Sequence, residues 1–184
     1  AIAGIDGMAK VYDVKSGAEL GHIGDTHRTH FALALSPDAR TFISTRIEGR
    51  LWGARIGQTL EMEPLRTSAS AVYGVVAGPK DRWAASITMR GKVRLWDLRT
   101  GQLVSRFRPS AKAIHDGFAF STDGRFLAWA DQTKRIRLWN LDEMRSGGIL
   151  EGHQKEIKSN DFTRNSSRLK SVGGDGFGEW DHRD

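Results

Sequence analysis

The chain has 184 residues, 39% of them hydrophobic and 27% charged, a balance that is ordinary for a globular protein and excludes a collagen-like or disordered chain. It contains no cysteine, which excludes disulfides and thiolate zinc sites. No apolar run reaches the roughly 18 residues that a membrane span requires. We therefore predict a cytoplasmic protein with no membrane partner and no cofactor.

The net charge is +6, from 28 Lys and Arg against 22 Asp and Glu. Such a balance favours association with phosphates or acidic partners. Three of the arginines, Arg50, Arg94 and Arg137, each stand two residues before a Trp. Alternation along a strand would direct them away from the core, so we expect them to be solvated rather than part of a binding stripe.

Short predicted strands follow one another along the chain. Residues 10–14 and 18–23 form the first pair, and residues 31–35 and 41–45 form the next. Thr122 to Arg125 reads as a turn, with Gly124 where a positive φ is needed. The remaining predicted strands cover residues 82–87, 92–98, 102–104, 126–130 and 135–139, with one more near residues 148–150.

Five copies of one pattern recur, each a hydrophobic run that ends in an aromatic residue. The aromatic residues follow one another at spacings of 40, 44, 43 and 41 residues, and they are Tyr12, Trp52, Trp96, Trp139 and Trp180. Three of them are followed directly by Asp, in the pairs Tyr12-Asp13, Trp96-Asp97 and Trp180-Asp181. A period of about 40–45 residues with a Trp-Asp end is typical of a four-stranded propeller blade. The chain therefore resembles the WD40 repeat family over nearly its whole length.

The resemblance implies an all-β fold, a segment of a WD40-type propeller with four-stranded antiparallel blades. We expect three complete blades at residues 25–65, 66–108 and 109–152, between partial blades at residues 1–24 and 153–184. Because the chain begins within a blade, we expect it to be part of a longer WD40 protein. Seven blades is the family's commonest size, and the same longer chain would supply the missing blades.

His153, Ser171 and Asp175 have the residue types of a nucleophilic triad. No Gly-x-Ser-x-Gly elbow surrounds Ser171, however. The WD40 resemblance implies another role, in which these residues and Trp180 form a structural hydrogen-bond network. In that role each buried polar group satisfies another. We predict that the chain is not an enzyme.

The other repeats depart from this pattern. Alignment back from Trp96 keeps Ser86 but puts Arg90 at the Asp position, and alignment back from Trp139 gives Trp129 and Thr133. We expect those blades to rely on apolar packing. The spacing from Asp175 to Trp180 is one residue shorter than that from Asp6 to Tyr12, which indicates a bulge in the last blade.

Metal and phosphate sites are not predicted. His27 and His30 could chelate a metal only if their loop folded back, and no carboxylate pair or cysteine stands beside them. The glycines of residues 173–176 lack the Lys-Ser/Thr of a P-loop.

In the resembled fold, the loops before the first strand of each blade open on the same face as the turns between the second and third strands. Exposed Arg and Met are common at protein contacts. The candidate partner-binding residues on this face are Arg28, His30, Arg46, Glu48, Met89, Arg90, Lys112, His115, Lys134 and Arg135.

The functional prediction is a non-catalytic scaffold or sensor module that binds a protein or peptide, within a multi-component assembly. The alternative is a nucleic-acid-binding propeller that uses a basic arc of Arg46, Arg90, Lys134 and Arg135. Single-strand binders usually interleave aromatic residues to stack bases, and these turns contain none.

Overall fold

A computed structural model describes residues 2–3, 8–24, 30–46, 51–55, 72–88, 91–107 and 113–181. The chain divides into two compact units, residues 1–107 and residues 108–184. Within the described residues, the secondary structure consists of seventeen strands and one short 3-10 turn, Pro79–Asp81. The all-β prediction is therefore confirmed.

The first unit contains three antiparallel sheets, in each of which strands that follow one another in the chain are paired. Sheet 1 has β1 (Ile2–Ala3), β2 (Met8–Tyr12) and β3 (Glu19–Gly24); sheet 2 has β4 (His30–Leu35), β5 (Thr41–Arg46) and β6 (Leu51–Arg55); sheet 3 has β7 (Val72–Ala77), β8 (Trp83–Thr88), β9 (Val93–Asp97) and β10 (Gln102–Phe107).

The second unit contains two sheets with the same up-and-down order. Sheet 4 has β11 (Ala113–Phe120), β12 (Phe126–Asp131), β13 (Ile136–Asn140) and β14 (Arg145–Leu150), and sheet 5 has β15 (Ile157–Phe162), β16 (Arg168–Gly173) and β17 (Gly176–Asp181). Four successive antiparallel strands are one propeller blade.

Sheets 3 and 4 are thus complete four-stranded blades, as expected from the repeat. The fourth strand predicted for residues 25–65 would fall within residues 56–71, outside the described part of the chain. The exact blade boundaries and the total number of blades stay predictions.

Apolar side chains pack between neighbouring sheets of each unit. In the second unit, Ala128 and Leu138 of sheet 4 join Ile157 and Leu169 of sheet 5 in one buried cluster. In the first unit, sheets 2 and 3 share a second cluster that includes Ile43 and Trp96. A sheet face that a neighbouring sheet covers is buried, so alternation along a strand does not by itself separate core from solvent.

This packing corrects the prediction for the arginines that precede each Trp. Arg94 is only 6% exposed, and the side chain of Arg137 is 18% exposed. Arg50 lies outside the described residues. The prediction was wrong for Arg94 and Arg137 because it assumed that one face of each strand meets solvent.

The bulge expected between Asp175 and Trp180 is also absent from the described pairing of β16 with β17. Their register runs without a shift from Arg168 opposite Asp181 to Gly173 opposite Gly176. A connection of only two residues, Gly174 and Asp175, joins these paired ends. The short spacing from Asp175 to Trp180 is thus accommodated with the ladder of hydrogen bonds intact.

Candidate functional site

The four predicted network residues come from four different segments of sheet 5 and its loops. His153 lies in the loop before β15, Ser171 lies in β16, Asp175 lies in the turn after it, and Trp180 lies in β17. Antiparallel pairing brings the end of β16, its turn and the start of β15 to one end of the sheet. The topology therefore places these residues together although they are 27 positions apart in the chain.

The imidazole of His153 bridges the other two polar residues. Its Nδ1 lies 2.7 Å from Asp175 Oδ1, and its Nε2 lies 2.5 Å from Ser171 Oγ. A carboxylate can only accept, so Nδ1–H donates to Asp175; in the neutral ring, Nε2 then accepts the Ser171 hydroxyl. The side chain of His153 is 5% exposed, so these bonds replace water that it cannot reach.

The second carboxylate oxygen of Asp175 holds the loop before β15. Asp175 Oδ2 accepts the backbone N–H of Gln154 at 2.5 Å and that of Lys155 at 3.4 Å. Asp175 thus ties residues 153–155 to the turn between β16 and β17 through both its oxygens. The group fixes a loop in place.

Trp180 contributes by ring contact. The centroids of its ring and the His153 ring are 5.2 Å apart, with the planes tilted by 47°. The ring lies over Gly178, where an added Cβ would come within 2.0 Å of it. At Gly173, an added Cβ would lie 2.6 Å from Asp175 Oδ1 and 2.8 Å from His153 Nδ1. Because Gly173 and Gly178 have no side chain, they leave the space that the four network residues occupy.

The hydrogen bonds run from Ser171 to His153 to Asp175, as in a catalytic triad, but the Ser171 hydroxyl is inaccessible. Ser171 is 1% exposed, and it lies within β16 between two paired strands. A nucleophile must reach its substrate, which would require this sheet to open. The burial supports the structural role that the resemblance implied.

The hydrogen bonds also affect the acidity of Asp175. The Gln154 N–H is the largest influence; together with the His153 imidazole it outweighs the opposing effect of desolvation and lowers the pKa of Asp175 to about 2 from 3.8. A carboxyl group with a lower pKa in the folded protein contributes stability above its ordinary pKa. That contribution is lost as the pH falls through the folded-state value.

We accordingly expect Asp175→Asn to flatten the acid dependence of stability. In the parent, the part of the unfolding free energy due to Asp175 should decline between about pH 4 and pH 2. In the variant, this part of the decline should be missing because the amide does not titrate. Urea unfolding at several pH values between 2 and 6 measures both slopes, and equal slopes would show that Asp175 is not held by this group.

Sheet 3 retains part of the same arrangement. The indole Nε1 of Trp96 donates to Ser86 Oγ at 3.1 Å, and both residues are almost fully buried. Arg90, at the Asp position, lies outside the described residues.

Sheet 4 contains a polar group that sequence reasoning missed. Asp131 is fully buried, and its Oδ1 accepts the backbone N–H of Thr133 at 2.8 Å and also the Thr133 hydroxyl. Its Oδ2 accepts Nε–H of Arg137 at 2.6 Å. Burial opposes ionisation of Asp131, but the bonds from Thr133 and Arg137 outweigh it and keep the pKa of the carboxyl below its usual value. The sequence feature that could have indicated this group is an Asp two residues before a Thr in the same turn.

The candidate partner-binding residues are only partly described. Arg28, Glu48, Met89, Arg90 and Lys112 lie outside the described residues, as does His27. His30 is the first residue of β4 and Arg46 the last of β5, and His115 lies within β11 rather than in the loop before it. Lys134 and Arg135 lie in the turn between β12 and β13, as predicted, and both are exposed.

Arg135 connects this turn to the next loop. Its Nε lies 3.0 Å from Glu151 Oε1, just after β14. Within the described residues, no group of three His, Asp or Glu side chains is placed to hold a metal ion. The same part of the chain contains no helix that is long and apolar enough to span a membrane.

Comparison with known proteins finds relatives that are named for WD repeats. The chain is 33% identical to WD repeat and SOCS box-containing protein 1 of Xenopus tropicalis over 125 residues, which are 67% of this chain and 29% of that protein. It is 27% identical to WD repeat-containing protein 91 of Danio rerio over 183 residues, 96% of this chain and 22% of that protein.

A bacterial protein is similar as well. The chain is 30% identical to an uncharacterized WD repeat-containing protein of Deinococcus radiodurans over 110 residues, 55% of this chain and 42% of that protein. The chain thus spans less than half the length of each of these relatives. No protein-family profile matches it.

Proposed function

Because this chain is built from WD40 repeats, we propose that it is a non-catalytic scaffold module that binds a protein partner through the face carrying Lys134 and Arg135. WD repeat relatives support a protein-interaction module at the level of the family. Relatives named for both WD repeats and a SOCS box are themselves proteins of more than one module. A multi-component assembly is the corresponding proposal for this chain.

The observation that carries the proposal is the use made of the polar residues of sheet 5. His153, Ser171 and Asp175 hold a loop against the β16–β17 turn. Glu151, two residues before His153, is paired with Arg135 of the β12–β13 turn. Sheets with fixed loops suit recognition, because a preorganised surface loses little conformational entropy on binding. Function is carried by such loops rather than by the fold itself.

The described residues give little support to the alternative that this chain binds nucleic acid. Of its four basic arc residues, Arg135 is paired with Glu151, which reduces the positive charge available to a phosphate. The side chains of Arg46 and Arg90 lie outside the described residues. This alternative, like the cytoplasmic location, stays a prediction.

A capture experiment with matched variants tests the proposal. We expect Lys134→Glu/Arg135→Glu to lose the proteins that the parent captures from extract, because charge reversal on a recognition face repels a complementary partner. Lys15→Glu, a single reversal at an exposed turn in sheet 1, serves as the control and should capture them normally.

Nuclease treatment separates the two classes of partner. Captured proteins should persist after nuclease digestion and depend modestly on salt, whereas binding driven by phosphates weakens steeply with ionic strength. Equal capture by the parent and by Lys134→Glu/Arg135→Glu, here called the rim variant, would refute the assignment of this face. Loss of all capture on digestion would favour the nucleic-acid alternative.

A further inference from the structure

The turn between β12 and β13 has a sister turn in sheet 3. In sheet 4, the N–H of Asp131 donates to Arg135 O at 2.9 Å and that of Lys134 donates to Asp131 O at 3.1 Å. In sheet 3, the N–H of Thr88 donates to Lys92 O at 3.0 Å and that of Gly91 donates to Thr88 O at 2.8 Å. The two turns therefore close in the same way.

The two turns differ in the residue that adopts a positive φ. Gly91 has a φ of 72° and Lys134, at the equivalent place, has a φ of 65°. Glycine adopts this left-handed region freely, while a residue with a Cβ does so at a cost. A residue with a Cβ must be held here by its surroundings. Four other described non-glycine residues also have a positive φ, namely Ala39, Lys80, Met144 and Ser166.

The Asp131 side chain supplies that restraint. Its carboxylate accepts hydrogen bonds from Thr133 and Arg137, so it clamps the turn from within residues 131–137. The sister turn has Thr88 instead, whose hydroxyl accepts the N–H of Lys92 at 3.1 Å. The stronger, charge-assisted clamp accompanies the turn that lacks glycine.

The charges of this segment are unevenly matched. Arg135 is paired with Glu151 and Arg137 with Asp131, each through its Nε. Lys134 is exposed, and no carboxylate of the described residues forms an ion pair with its ammonium group. Lys134 is therefore the cation of this turn that is available to pair with a carboxylate of another molecule.

We propose that Lys134 contacts a carboxylate group of a protein partner, and that Asp131, clamped by Thr133 and Arg137, is the positioning residue that presents it. The partner contact rests on the proposed function. The positioning role concerns the free protein and is tested without a partner.

Amide hydrogen exchange tests the positioning. Asp131→Asn and Arg137→Gln should each speed exchange of the Lys134 amide by about tenfold or more under native conditions, as expected when a charged, buried hydrogen bond is lost. The double variant should exchange about as fast as either single variant, because both substitutions break one pair. Amides of β15 and β16 should keep their parental rates, which a general loss of stability would not allow.

Thr88→Ala is the matched control, and it should speed exchange at Lys92 in sheet 3 and leave Lys134 unchanged. If Asp131→Asn does not fold, Thr133→Val removes one donor and should produce a smaller effect at the same amide. Unchanged exchange at Lys134, or additive effects in the double variant, would overturn the positioning role.

The partner contact is probed with a hexaglutamate peptide, with hexaglutamine as the neutral comparison. In side-chain NMR, the Lys134 signal should saturate at a lower hexaglutamate concentration than that of the exposed Lys15, and Asp131→Asn should abolish this difference. Equal titration of the two lysines would overturn the carboxylate assignment. Normal capture by Asp131→Asn, with capture lost in the rim variant, would reject Asp131 and leave the proposed function standing.

Discussion

Replacing His153 by Ala should destabilise the second unit by about 1–3 kcal/mol, the usual effect of leaving buried hydrogen-bonding partners unsatisfied. The substitution removes the group that bridges Asp175 and Ser171, and Ser171 is almost fully buried. It also removes the ring that contacts Trp180. Chemical denaturation followed by Trp fluorescence measures the loss.

His22→Ala is the matched control. The side chain of His22 is 57% exposed, and its bond to Glu19 lies at the surface of sheet 1. Exposed pairs of this kind contribute little, so the change should be below about 1 kcal/mol. A small, equal effect of the two substitutions would mean that His153 is an ordinary loop residue and that the network is not structural.

Gly173→Ala should cost a similar amount, about 1–3 kcal/mol, although it removes no polar atom. The new methyl group would lie 2.6 Å from Asp175 Oδ1, 2.8 Å from His153 Nδ1 and 3.1 Å from the Glu156 carbonyl oxygen. Asp175 Oδ1 and His153 Nδ1 are hydrogen-bonded to each other, so neither atom can move away without breaking that hydrogen bond. Thermal and urea unfolding measure the effect.

Two comparisons make the Gly173 prediction specific. Gly21→Ala, in β3, meets open space and should change stability little. Combining Gly173→Ala with His153→Ala should give less than the sum of the two losses, because both act on one group of atoms. Additive losses would indicate that the methyl group disturbs only the backbone near Glu156.

The repeated aromatic endings in the sequence are sufficient to predict the blade architecture. Predicted strand 126–130 is observed as Phe126–Asp131, and predicted strand 41–45 as Thr41–Arg46. Local alternation and turn residues suffice for this, because a meander pairs strands that are neighbours in the chain. The His153, Ser171 and Asp175 grouping came from the family resemblance, and the structure places these three residues in hydrogen-bond contact.

Tertiary structure alone decided what each polar residue faces. Arg94 and Arg137 were expected in water, but Arg94 is only 6% exposed and the side chain of Arg137 is 18% exposed. Asp131 stands two positions before the residue that the repeat pattern aligns with Asp175, so no alignment could assign it. Its role depends on a bond to Arg137 across the turn. Sequence periodicity determines which residues form strands. The partners of a buried charge are set by three-dimensional proximity, because a charge removed from water must be compensated by polar groups that the fold places beside it.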